Sequence, residues 1–293
     1  MLEDIRDKPY LNHGDVVELN FIRSPAKFHY RRHYRAGLRS HIMEVLKLDE
    51  LNKETEGVTV NRIKWYPRAK PIKILRLFRI RFKNLEEARE EVKRVRIVQA
   101  YLDPDHVALT EEFLVDYIRG EKRDILLCGL QEYVEGEVIE PWGNLGEDHL
   151  LSLISRMASG EGGDPSKSTG RHIWGVKEKA DVFVKRIKQM IREAEHIPDL
   201  AGAGNLLLTR SGNIKLVDVN NISRVLFDAT IQLDDRGYPV CDKSIQALSL
   251  LEQKLLGRSP HEGDGLYETF LDPERMKAVR KLEEDFNRTH LNL

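Results

Sequence analysis

Apolar residues recur along this chain at two spacings, and each spacing predicts a kind of element. Alternation is clearest over Ile72–Phe82, where Ile72, Ile74, Phe78, Ile80 and Phe82 share one face of a strand. Arg76 falls on that same apolar face, where a charge needs a partner. Val16–Ile22 and Lys27–Tyr34 also read as strands that pair, with Arg23-Ser24-Pro25-Ala26 as the turn between them. Val107–Leu109 and Phe113–Tyr117 read as short strands, and Asp124–Leu130 as a buried one. Helical spacing begins at Leu85. Asn84 caps a helix to Leu102 whose stripe is Ala88, Val92, Val95, Val98 and Leu102, and Glu91 points with that stripe. Helices follow at 147–158, at 176–195 and from Asp242 to Glu252, where Asp242 reads as an N-cap.

Between the last two helices lies the segment with the densest candidate chemistry. Leu206–Leu208 and Ile214–Val217 are apolar runs joined by Arg210-Ser211-Gly212-Asn213, in which Gly212 and Asn213 tolerate positive φ. A hairpin there returns Asp218 toward Asn205, and two such oxygen-bearing side chains can share a hard cation such as Mg²⁺. Asp199, on the loop before the hairpin, could accept a proton from an attacking hydroxyl. A surface hairpin with polar ends is the plain alternative.

Composition narrows the setting. The chain has 293 residues, 41% hydrophobic and 32% charged, and 47 Lys and Arg balance 48 Asp and Glu. This reads as a folded chain of one large domain or two lobes. The charge is unevenly distributed. Leu19–Met43 and Gly57–Leu85 contain no acidic residue, so the N-terminal third is strongly basic. With Phe28, Tyr30, Tyr34, Trp65 and Tyr66 interleaved, it could bind nucleic acid or anionic lipid. Cys128 and Cys241 are the only cysteines, which excludes a disulfide framework or a CxxC metal site. No 18-residue apolar run occurs, and a cytoplasmic location is expected. The Gly- and Ser-rich Ser159–Gly170 reads as a loop. It lacks the spacing of a phosphate loop and follows a helix, and Gly202-Ala-Gly204 precedes a strand, the wrong order for a dinucleotide fingerprint.

The Asp199, Asn205 and Asp218 segment resembles the catalytic core of the protein-kinase-like superfamily, which includes eukaryotic-type and aminoglycoside kinases. The thirteen-residue step from Asn205 to Asp218 matches the family's spacing. Asp199 lies six residues before Asn205, where the family has five, and Val219-Asn220 stands in place of Phe-Gly. The resemblance implies an α+β, two-lobed fold, a small antiparallel β lobe with one helix and a mainly helical large lobe. The lobes would be 1–130 and 137–293, joined by a hinge at 131–136. It also implies ATP and Mg²⁺ as cofactors, with Asn205 and Asp218 holding metal and Asp199 as the catalytic residue. Backbone groups of Glu132, Tyr133 and Val134 would hold the adenine. Arg76 occupies the place of the family's phosphate-gripping Lys, with Glu91 as its helix partner, and Asp242 resembles the Asp that braces the catalytic loop. The expected function is phosphoryl transfer to a hydroxyl on a protein or small molecule. Arg at the Lys position and the missing glycine loop leave a second expectation, a pseudokinase acting as a binding module.

Overall fold

The structure, a computed structural model, describes residues 3–24, 26–35, 37, 39–158, 169–259 and 264–290. It is a mixed α/β chain with an antiparallel five-stranded sheet and several helices. Two compact units emerge: Met1–Lys93 with Leu109–Tyr133, and Arg94–Ala108 with Val134–Leu293.

The sheet of the first unit is built from β1 (Phe28–Arg32), β2 (Ser40–Lys47), β5 (Lys73–Phe78), β6 (Thr110–Arg119) and β7 (Lys122–Glu132), in the order β1-β2-β5-β7-β6. Between β2 and β5 the chain forms α2 (Leu48–Glu56) and a separate ribbon of β3 (Val58–Val60) and β4 (Ile63–Trp65). The register pairs Val58 with Trp65 and Val60 with Ile63, so the ribbon gathers its apolar residues on one face. One face of the large sheet packs Tyr30, Met43, Val45, Leu75, Leu77, Val115 and Cys128 against Ile5, Leu11, Val16 and Leu19 of the N-terminal segment.

Several expectations change here. Val16–Ile22 is not a strand. Val16 lies in α1 (His13–Val17), because Asn12 and Asp15 form a reciprocal capping box and successive turns follow at Leu19 and Ile22. The partner of β1 is β2, so the connection between the first two strands is 33–39 and Arg23–Ala26 precedes both. The long strand stops at Phe78, and Ile72 outside it is exposed. Within β5 both faces are covered, since Ile74, Leu75, Arg76, Leu77 and Phe78 are all buried. Val107 forms only an isolated bridge, to Leu216.

Helix α3 (Leu85–Tyr101) begins where the pattern places it, with the Asn84 carboxamide accepting from the Glu87 N–H at 2.9 Å. Its later residues Val95 and Val98 join the core of the second unit. That core is assembled from α5 (Thr169–Ala194) and α6 (Val240–Leu256), with α4 (Glu147–Ala158) and α7 (Gly265–Phe270) contributing and α8 (Pro273–His290) following. Phe183, Ile187 and Met190 of α5 are fully buried. The stretch 159–168, expected as a loop, lies outside the described residues, and α5 starts at Thr169, earlier than the 176 expected.

Small strands carry the candidate residues of this unit: β8 (Glu137–Ile139), β9 (His196–Pro198), β10 (Leu206–Leu208), β11 (Ile214–Leu216) and β12 (Ile222–Arg224). The expected hairpin is present, with Leu206 opposite Leu216 and Leu208 opposite Ile214. In its turn Gly212 alone takes a positive φ (82°), while Asn213 bonds back to Thr209. On the other side of β10, β8 approaches so closely that a Cβ on Gly136 would sit 2.6 Å from the Leu208 carbonyl. Packing against β10 therefore accounts for that glycine.

Candidate active site

The second unit brings Asp199, Asn205 and Asp218 into one neighbourhood by three separate ties. β9 and β12 pair antiparallel, and just beyond them the Asp199 N–H donates to the Asn221 carbonyl at 2.9 Å. This fixes Asp199 beside the chain that follows Asp218. The hairpin supplies the second tie, since the Val217 N–H donates to the Asn205 carbonyl at 2.8 Å. The third is direct: Asn205 Nδ2 donates to the Asp199 carbonyl at 2.9 Å. With Nδ2 committed in this way, Oδ1 is the Asn205 atom able to meet a cation.

Between Asp199 and Asn205 the loop is tightly folded. Asp199 Oδ1 accepts from the N–H groups of Ala201 and Gly202 at 3.0 and 2.9 Å. The Asn205 N–H donates to the Gly202 carbonyl at 3.1 Å. A Cβ on Gly202 would collide with the Asn205 carboxamide and lie 2.9 Å from Asp199 Oδ2. Gly204 turns the chain at a φ of 75°, whereas Gly202 is needed for space.

Partners from distant sequence hold this loop, and none of them carried a signal in the sequence. Glu140 Oε1 accepts from the Gly204 N–H at 2.9 Å. Ser244 Oγ, fully buried on α6, accepts from the Leu200 N–H at 3.2 Å. Asp242 is not the helix cap, because Pro239 occupies that position. It is instead the third helical residue, 2% exposed, with its carboxylate 2.5 Å from Arg275 Nε. Arg275 also donates to the Asp228 and Thr230 carbonyls, so Asp242 anchors the segment before α6, while Ser244 touches the loop itself.

Electrostatically the site is acidic. Burial pushes the half-buried Asp199 carboxyl up to about 6, and the charges of Asp218 and Asp234 add to the rise against the two backbone donors. Asp218 Oδ1 accepts from the Asn220 N–H at 3.0 Å. Asp234 is in turn held by Asn221 Nδ2 at 3.0 Å and by the N–H groups of Arg236 and Tyr238. A carboxylate and a carboxamide oxygen are hard donors of the kind Mg²⁺ takes, with phosphate oxygens completing its shell. The residues present therefore fit a metal–nucleotide site. They do not form a self-sufficient metal cage, since no group of three His, Cys, Asp or Glu suited to a metal occurs among the described residues.

The remaining candidates belong to the first unit, apart from Val134. Arg76 is 5% exposed, and its Nε donates to Gln131 Oε1 at 2.8 Å. Glu91 approaches Arg39 Nη2 at 4.0 Å. The Glu132 N–H donates to the Leu109 carbonyl at 2.9 Å and its Oε1 accepts from the Leu109 N–H at 3.0 Å. Tyr133 is exposed. The connection 33–39 contains Gly37 as its one glycine.

No protein-family model matches the chain, and no curated protein matches it by sequence. Among solved structures, a ROP18 kinase domain in complex with AMP-PNP and sucrose aligns with 89% of this chain and 74% of its own, at 12% identity and a TM-score of 0.36.

Proposed function

We propose that the chain is an ATP- and Mg²⁺-dependent phosphotransferase of the protein-kinase-like kind, acting on a hydroxyl acceptor. The observation that carries this reading is the hydrogen-bonded juxtaposition of Asp199 and Asn205, with the Asp218 charge close enough to lift the Asp199 pKa. Asn205 Oδ1 and the Asp218 carboxylate would hold the metal. A metal held by them would supply charge neutralisation during phosphoryl transfer. Asp199 would orient the acceptor hydroxyl and take up its proton. Arg76 with Glu91 would take the phosphate-gripping role, and the backbone of Glu132, Tyr133 and Val134 would hold the adenine.

A second reading, nucleotide binding without turnover, is favoured by two features. Arg76 stands where a Lys is expected and is committed to Gln131, and 33–39 has a single glycine. Transfer of radiolabelled γ-phosphate separates the two. The phosphotransferase reading expects Mg²⁺-dependent transfer or hydrolysis that falls about 10²–10⁴-fold in Asp199→Ala, with nucleotide affinity little changed. No label transfer by a wild-type protein that binds Mg·ATP would leave the binding-module reading in place.

A further inference from the structure

The sheet of the first unit has a second polar site, on the face turned away from Arg76. Strand alternation and the pairs Arg32–Met43 and His41–Leu77 put Arg32, His41 and Met43 on the face covered by the N-terminal segment. Arg76, paired with Ile42, points to the opposite face. Where the N-terminal segment crosses the end of β2, a cavity opens that includes Tyr10, Arg32, Arg35, His41 and Arg79 in its lining and no carboxylate.

The polar groups there are held in place by the fold. Arg79 Nη2 donates to the Pro9 carbonyl at 3.2 Å and faces His41 Nδ1 at 3.4 Å. His41 Nε2 is 2.8 Å from the Ile5 carbonyl, so that nitrogen carries a proton, and Nδ1 is left to accept from the Arg79 guanidinium. The Arg32 guanidinium lies over the Tyr10 ring, 5.5 Å from its centre. Burial lowers the buried His41 to about 4, with Arg79 and Arg32 adding to the depression and Asp15 of α1 opposing it. Three guanidiniums gathered around one small cavity, walled by a neutral imidazole, make a local positive potential. Planar N–H forks of this type match tetrahedral oxyanions.

We propose that this cavity binds a phosphate group through Arg32, Arg35 and Arg79, at a site separate from the residues assigned to Mg·ATP. Free phosphate and a phosphomonoester share the chemistry that the guanidiniums recognise.

The test is an NMR titration of the His41 ring in metal-free buffer at constant ionic strength, with inorganic phosphate in one arm and O-phospho-L-serine in the other. Saturable shifts of the His41 signals are expected with inorganic phosphate. Saturation by O-phospho-L-serine as well assigns the site to phosphomonoesters, and its absence assigns it to the free ion. Arg32 is exposed and outside the core, so Arg32→Gln should fold normally and weaken binding about tenfold or more, the loss of one charge-assisted contact. No saturable shift with inorganic phosphate, or equal binding by Arg32→Gln, would overturn the proposal. Because metal and nucleotide are absent, failure here leaves the phosphotransferase reading untouched.

Discussion

The Asp199 carboxyl sits at about 6 because folding takes it from water and places Asp218 and Asp234 nearby. Its unfolded value is 3.8, so between pH 3.8 and about 6 the folded protein holds a proton that the unfolded chain has released. Stability contributed by this group is therefore lost as pH rises through that window, and the cost persists above it. A shift of this size corresponds to about 3 kcal/mol at most. Asp199→Asn keeps an oxygen to accept from Ala201 and Gly202 but carries no charge. In metal-free buffer it should unfold at a higher temperature than wild type near pH 8, and the difference should vanish near pH 3.5. Equal melting temperatures near pH 8 would remove the electrostatic strain from the account. That Asn205 and the chain before Asp218 come together was legible in the sequence because a short hairpin joins them. Glu140, Ser244 and Asn221 were not, since what makes them matter is a through-space bond to a loop far away in the chain.

Local pattern served best where one signal acted alone. Asn84 with a clean 3.6-residue stripe gave α3, and two leucine-rich runs around Gly212 gave the β10–β11 hairpin. Strand β2 was invisible, because Ser40, His41 and Glu44 interrupt its apolar run yet are all buried. Their burial is compensated by remote partners: Arg31 Nε lies 2.7 Å from Glu44 Oε2, and the Ile5 carbonyl meets His41. The Val16–Ile22 error has a similar root, for its β-branched content was outweighed by the capping box at Asn12 and Asp15. Within the Asp199–Asn205 loop, geometry leaves no room for a side chain at Gly202. Gly202→Ala should then cost about 1–3 kcal/mol in urea unfolding, as overpacking does elsewhere. It should also abolish Mg·ATP binding, because both Asp199 and Asn205 must move. Unchanged nucleotide affinity in this variant would mean that the loop is looser than its hydrogen bonds imply.

For the molecule as a whole, the basic stretches of the N-terminal third are partly neutralised by carboxylates that flank them: Arg31 meets Glu44 and Glu54, and Arg81 meets Asp4 and Asp7. What stays exposed includes the β3–β4 ribbon, where Trp65 and Ile63 are 60% and 69% accessible. Among the described residues no helix is long and apolar enough to cross a membrane. The proposed phosphotransferase activity requires Asp218 and Asn205 of the second unit to hold a nucleotide's metal. The most direct measurement of that requirement is the melting temperature of wild type and Asp218→Asn with ATP, with and without Mg²⁺. Ligand at 100 times its dissociation constant stabilises a fold by about 2.7 kcal/mol, which shifts the melting temperature by several degrees. That shift is expected for wild type only when Mg²⁺ and ATP are both present, and is expected to be lost in Asp218→Asn. An equal Mg²⁺-dependent shift in the two proteins, or none in wild type, would contradict it.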